Sequence, residues 1–243
     1  MNLLTLPLVL GFAAVHLLIG RLKFLNVLPR SRWLSAAGGV AVAYVFLHIL
    51  PELGVHTAAF AESFGLHEKR AESLVYLVAL AGLAVFYGLE RAAKTSRARN
   101  RENGKGDVVG ADLFWIHIGS FALYNVLIGY LLLHREETGL ASLFLYFTAM
   151  ALHFVTTDHG LRENHKGVYD QKGRWLLVAA VLLGWLLGLM DPLSETAIGL
   201  LFAFLAGGVV LNVLKEELPE ERQSNFGAFA LGTGAYAGLL LLT

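Results

Sequence analysis

The chain has 243 residues, of which 56% are hydrophobic and only 16% charged, and its mean hydropathy is +0.59. Soluble domains carry roughly 25% charged residues, and a soluble globule of this length could not cover so much apolar surface, so lipid is the expected solvent. The formal net charge of +0 hides a strong segregation and says nothing about nucleic acid, which is not an expected partner, while the absence of cysteine excludes disulfides and thiolate metal sites.

Nearly charge-free runs of about 20 residues mark membrane-crossing helices. Here they predict an all-α, polytopic chain with eight spans, at roughly 2–20, 33–53, 73–90, 112–134, 139–160, 174–190, 195–215 and 225–243. The runs are too long for barrel strands of about 10 residues. No Lys or Arg precedes the apolar run from Leu3, so it lacks the basic region of a signal peptide and reads as the first span. A single membrane domain over 1–243 is expected, with a flexible loop at about 91–111 that carries Ser96, Asn100, Asn103, Gly104 and Gly106.

Orientation follows from the 19 Lys and Arg. Arg21, Lys23, Arg30 and Arg32 lie between spans 1 and 2, and Arg91, Lys94, Arg97, Arg99, Arg101 and Lys105 between spans 3 and 4. Arg162, Lys166, Lys172 and Arg174 lie between spans 5 and 6, and Lys215 and Arg222 between spans 7 and 8. Only Lys69, Arg70 and Arg135 fall on the opposite side. Basic residues stay in the cytoplasm during insertion, so both termini are expected outside it.

Helix 2 reads Ala37-Gly38-Gly39-Val40 and then Leu50-Pro51-Glu52; helix 7 reads Ala206-Gly207-Gly208-Val209 and then Leu218-Pro219-Glu220. The two copies match with one residue of slack and run in opposite directions. That is the pattern of an inverted repeat, helices 1–3 against 6–8, a common plan of secondary transporters.

Polar residues inside spans are costly, which makes them functional candidates. His153, Thr156, Thr157 and Gly160 share one face of helix 5, with Asp158 next to them, and His117, Phe121, Tyr124 and Asn125 form a stripe on helix 4. A site or path between helices 4 and 5 is expected, with both packed in the centre of the bundle. His16 reads as a hydrogen-bond partner between helices. His48 and Glu52, at i and i+4 near the outer surface, suit either cation collection or the capping of an exposed helix end. The 2–3 loop with His56, Glu62, His67 and Glu68 reads as solvated.

The eight spans, the long 3–4 loop, Phe46-Leu47-His48-Ile49-Leu50-Pro51-Glu52 and the helix-7 run to Leu218-Pro219-Glu220 resemble the ZIP (Zrt/Irt-like) metal transporters. The resemblance implies an elevator-like carrier of zinc or related divalent ions, with ligands on helices 4 and 5. Against the family's His-Asn-x-x-(Asp/Glu)-Gly on helix 4, this chain has Tyr124, Asn125, Val126, Leu127, Ile128 and Gly129, so Tyr replaces the His and Ile the carboxylate. Against His-Glu-x-Pro-(His/Glu) on helix 5, the register from His153 keeps the first ligand and an acid at Asp158. A second register sets Asp158-His159-Gly160-Leu161 against Pro-Glu-Gly-Leu and leaves Val155 at the first position. The first is preferred because it keeps a ligand at mid-membrane depth.

Helix 6, Trp175 to Met190, contains no acid, and a buried divalent ion needs compensating negative charge. The expected centre is therefore one partly hydrated ion rather than a pair, with His153, Asn125, Tyr124, Thr157, Asp158 and His117 as candidate ligands. The ion would be cargo, and no resident cofactor is expected. The alternative is a ZIP-fold protein that transports or senses a non-metal solute. An enzyme is not expected, since no His-Glu-x-x-His is present. The lipid bilayer and the carried ion or solute are the expected partners, and a homodimer is compatible with the sequence.

Overall fold

The computed structural model describes residues 2–22, 32–104, 106, 109–135, 139–190, 193–217 and 225–241. Among these residues every regular element is a helix. Helix α1 spans Asn2–Leu18, α2 Arg32–Tyr44, α3 Leu50–Val55, α4 Thr57–Phe64 and α5 Glu68–Glu102. They are followed by α6 (Ala111–Leu131), α7 (Leu140–Val168), α8 (Arg174–Gly188), α9 (Glu195–Glu217) and α10 (Phe226–Leu241). In each of the eight expected runs the described residues are largely helical. Six stretches are long and apolar enough to cross a bilayer, among them Arg32–Phe64, which joins α2 to α4. α8 and α10, at 15 and 16 residues, are shorter. The long apolar helices mark a multi-pass membrane protein.

Three connections differ from expectation. In the 2–3 connection, expected as a solvated loop, Thr57–Phe64 is helical and His56 is only 7% exposed, because the apolar Phe60 side of this helix packs inward. Residues 91–102, expected in the 3–4 loop, continue α5, which ends at Asn103 with Gly104 at φ 70°. Arg, Lys, Ala and Glu are good helix formers whether or not they lie in lipid, so the helix runs on until a left-handed glycine stops it. The 5–6 connection is helical too, with a π-helical turn at Tyr169–Gly173. The chain nonetheless reverses there: His165 pairs with His117, and Gly173 sits against Ile118 one residue further along α6.

A second π-helical turn, Val45–Ile49, leads from α2 into α3. Pro51 has no N–H and its ring crowds the carbonyl four residues back, and the widened turn takes up that clash. Pro219 and Glu220, its counterparts near the end of α9, lie outside the described residues.

Close helix contacts are made through glycine, as is usual where helices have no water to escape from. A Cβ at Gly39 would overlap the Phe229 carbonyl, and one at Gly232 the Ala36 carbonyl, locking α2 to α10. A Cβ at Gly207 would overlap the Ala79 carbonyl, and one at Gly82 the Phe204 carbonyl, locking α9 to α5. Gly129 and Gly184 do the same for α6 and α8 against Val181 and Val126. α1 packs on α8 and α7, and its Thr5 hydroxyl accepts a 2.9 Å hydrogen bond from Trp185 Nε1. α1 thus joins α7 to the α6–α8 pair, and α2 and α9 pack on α7.

Candidate functional site

α7 carries four buried polar groups in order along its length: Tyr146, His153, Asp158 and His165, each at most 7% exposed. Tyr146 donates to the Ile128 carbonyl at 2.9 Å, the His153 ring lies 5.6 Å from that of Tyr124, and His165 meets His117. α6 and α7 therefore run side by side and antiparallel.

The tightest polar cluster lies where α1, α6 and α7 meet. His16, 0% exposed, places Nδ1 2.7 Å from Asp158 Oδ2 and Nε2 2.8 Å from Asn125 Oδ1. The Asn125 amide is oriented by its own bond, Nδ2 donating to the Phe121 carbonyl at 2.8 Å. Its oxygen must then face the imidazole, so Nε2–H donates to it. One proton lies between Nδ1 and the Asp158 carboxyl, and neither group has another partner at that contact. The second carboxyl oxygen, Oδ1, is buried and takes no part in the His16 contact. Tyr169, from the turn after α7, sits beside it; burial, and after that the neighbouring carboxylate, pushes its phenol up, so the hydroxyl stays protonated.

His153 is 1% exposed and faces Tyr124 rather than lipid, with Nε2 3.2 Å from Thr157 Oγ1. Its Nδ1 and the Tyr124 hydroxyl are buried without partners. Next to Tyr124 a cavity of about 30 Å³, room for about one water, is bounded by Tyr44, Ile128, Tyr146 and Phe202.

A second cluster lies toward the end where α5 leaves the bundle. His117 Nδ1 is 2.8 Å from His165 Nε2, and its Nε2 is 3.6 Å from Glu90 Oε2. Glu90, 7% exposed, pairs with Lys215 of α9 at 3.0 Å and accepts from Asn164 Nδ2 at 3.4 Å. At the opposite end His48 Nε2 is 3.2 Å from Glu52 Oε2.

The six expected ligands therefore divide into three groups: Asn125 and Asp158 on His16, Tyr124 and Thr157 on His153, and His117 on His165 and Glu90. Asp158 does not join His153. Five residues apart on a helix, the two side chains point about 140° from each other, whereas Thr157, four residues on, shares the His153 face. Among the described residues no group of three or more His, Asp or Glu side chains is placed to hold a metal ion. The central part of His16 was not legible: an intramembrane histidine on helix 1 gave only a helix contact. Glu90, His165 and Lys215 sit at the charged margins of their spans, where the sequence alone does not single them out as site residues. Comparison with protein-family models, with curated proteins and with solved structures gives no match.

Proposed function

We propose that the protein is a membrane carrier of ZIP-like plan that moves a small cation through the interior between α1, α6 and α7. One observation carries the reading: Asn125 and Asp158, the residues at the helix-4 and helix-5 motif positions, close together on the His16 imidazole, deep in the bundle. His16 then occupies the place of a cation, held by the same oxygen donors a cation would use. A divalent ion such as zinc, which accepts imidazole and carboxylate ligands, enters by displacing His16 from Asp158. Its binding releases the proton between them. His153, with its free Nδ1, and Tyr124 lie nearby on the same helices.

The glycine contacts support the inverted repeat behind this plan. Gly39 meets Phe229 and Thr233 as Gly207 meets Ala79 and Leu83, and Gly232 meets Ala36 as Gly82 meets Phe204. In this register Gly39 and Gly207 are as far apart in sequence as Pro51 and Pro219, so the slack between the two copies disappears.

The test is uptake into liposomes holding the purified protein and a zinc-sensitive dye. Zinc should enter, Asp158→Asn should reduce the rate at least about tenfold, the size of one lost charge-assisted ligand, and Ile128→Asp should raise zinc retention. Zinc entry that is indifferent to Asp158 would sink the reading. One second reading, a carrier of a non-metal solute, is favoured by the His16 contacts with Asn125 and Asp158, which are complete without an ion. No entry of any divalent ion, with His16→Ala still altering proton leak, would decide for it.

A further inference from the structure

A cavity of about 310 Å³ opens at the end of the bundle where α6 begins and α7 turns into α8, walled by Phe114, Trp115, His165, Val168 and Lys172. It lies apart from the His16 network, and several features fit it to an anion. His165 is 3% exposed; its Nε2 is taken by His117, and its Nδ1 has no hydrogen-bond partner. A polar nitrogen sealed in this way is costly unless something bonds to it. Lys172 holds its ammonium 5.8 Å over the Trp115 ring and makes no ion pair among the described residues. The carboxylate nearest to it in sequence, Asp170, is occupied by Arg162 at 2.9 Å.

The start of α6 also borders the space, through Val109 and Ala111. Its cap position, Gly110, offers no side chain, so the first N–H groups of a 21-residue helix keep their partial positive charge. Asp112 of that turn points to solvent. Trp115 and Val168, 48% and 41% exposed, give the mouth an apolar and aromatic rim, the composition found at the depth of lipid headgroups.

We propose that this cavity binds the phosphate-bearing headgroup of an anionic lipid, with Lys172 and the α6 N-terminus on the phosphate and His165 on a headgroup hydroxyl. The assignment rests on the membrane-spanning reading, with this end cytoplasmic, where the leaflet is anionic and basic pockets between helices hold such headgroups. It does not depend on what the protein carries.

Native mass spectrometry of the detergent-purified full chain tests it, with phosphatidylglycerol, phosphatidylcholine and inorganic phosphate as separate probes. Phosphatidylglycerol should be retained in preference to phosphatidylcholine. Lys172→Ala, an exposed change that leaves the helices intact, should weaken phosphatidylglycerol about fivefold, the worth of one basic charge near an anionic surface, and leave phosphatidylcholine unchanged. Equal retention of the two lipids, or an unchanged Lys172→Ala protein, would overturn the proposal. Inorganic phosphate that displaces phosphatidylglycerol at millimolar concentration would also overturn it, because the site would then serve a free anion.

Discussion

Replacing His16 by Ala removes the imidazole that satisfies Asp158 and Asn125 together. If the contact were an ordinary interhelical hydrogen bond, double-mutant cycles in membrane proteins place its worth near 0.6 kcal/mol, with a ceiling of about 1.7. A buried charged pair behaves differently: stripping one partner leaves the other charge in a dry interior and costs about 3–5 kcal/mol. Deep burial and the short contact favour the second case. His16 and Asp158 are 0% and 1% exposed and their contact is 2.7 Å. His16→Ala should therefore destabilise the protein by about 3 kcal/mol or more, and Asp158→Asn in the same chain should restore a good part of it by removing the orphaned charge. The measurement is reversible unfolding in mixed micelles for the two single variants and the double variant. A coupling energy near 0.6 kcal/mol would mean that His16 is only a helix contact, and the proposed site would lose its foundation.

Two further predictions stand on separate observations. A reporter active only in the cytoplasm should work when inserted at Gly104 and fail when fused at Thr243; the reverse result would overturn the orientation drawn from the Lys and Arg distribution. Gly207→Leu and Gly39→Leu should each separate a helix pair, because even a Cβ meets a backbone carbonyl there, and should lower the yield of folded protein sharply, whereas Gly119→Leu, with open space around it, should be tolerated. Equal behaviour of all three in a detergent-stability assay would show that the glycine contacts do not hold the bundle.

The sequence by itself determined the helical class and the apolar character that marks a membrane protein. Hydropathy runs about one bilayer long point to lipid as the solvent, and the described residues of the eight predicted runs are largely helical. Helix ends were less legible: Arg91 to Glu102 break the hydropathy signal but not the backbone hydrogen bonds of α5. Only the tertiary structure decided the partners. His16 lies 142 residues from Asp158 and 109 from Asn125, and no local pattern records which faces of α1, α6 and α7 meet. Sequence proximity instead joined Asp158 to His153, which the 3.6-residue turn sends to a different face. The same holds for Glu90, whose partners His117, Asn164 and Lys215 come from three other helices. Hydrophobicity places a helix in the bilayer, but its rotation and neighbours follow from backbone approach at Gly39, Gly82, Gly129 and Gly207, a packing that exists only once all the helices are assembled.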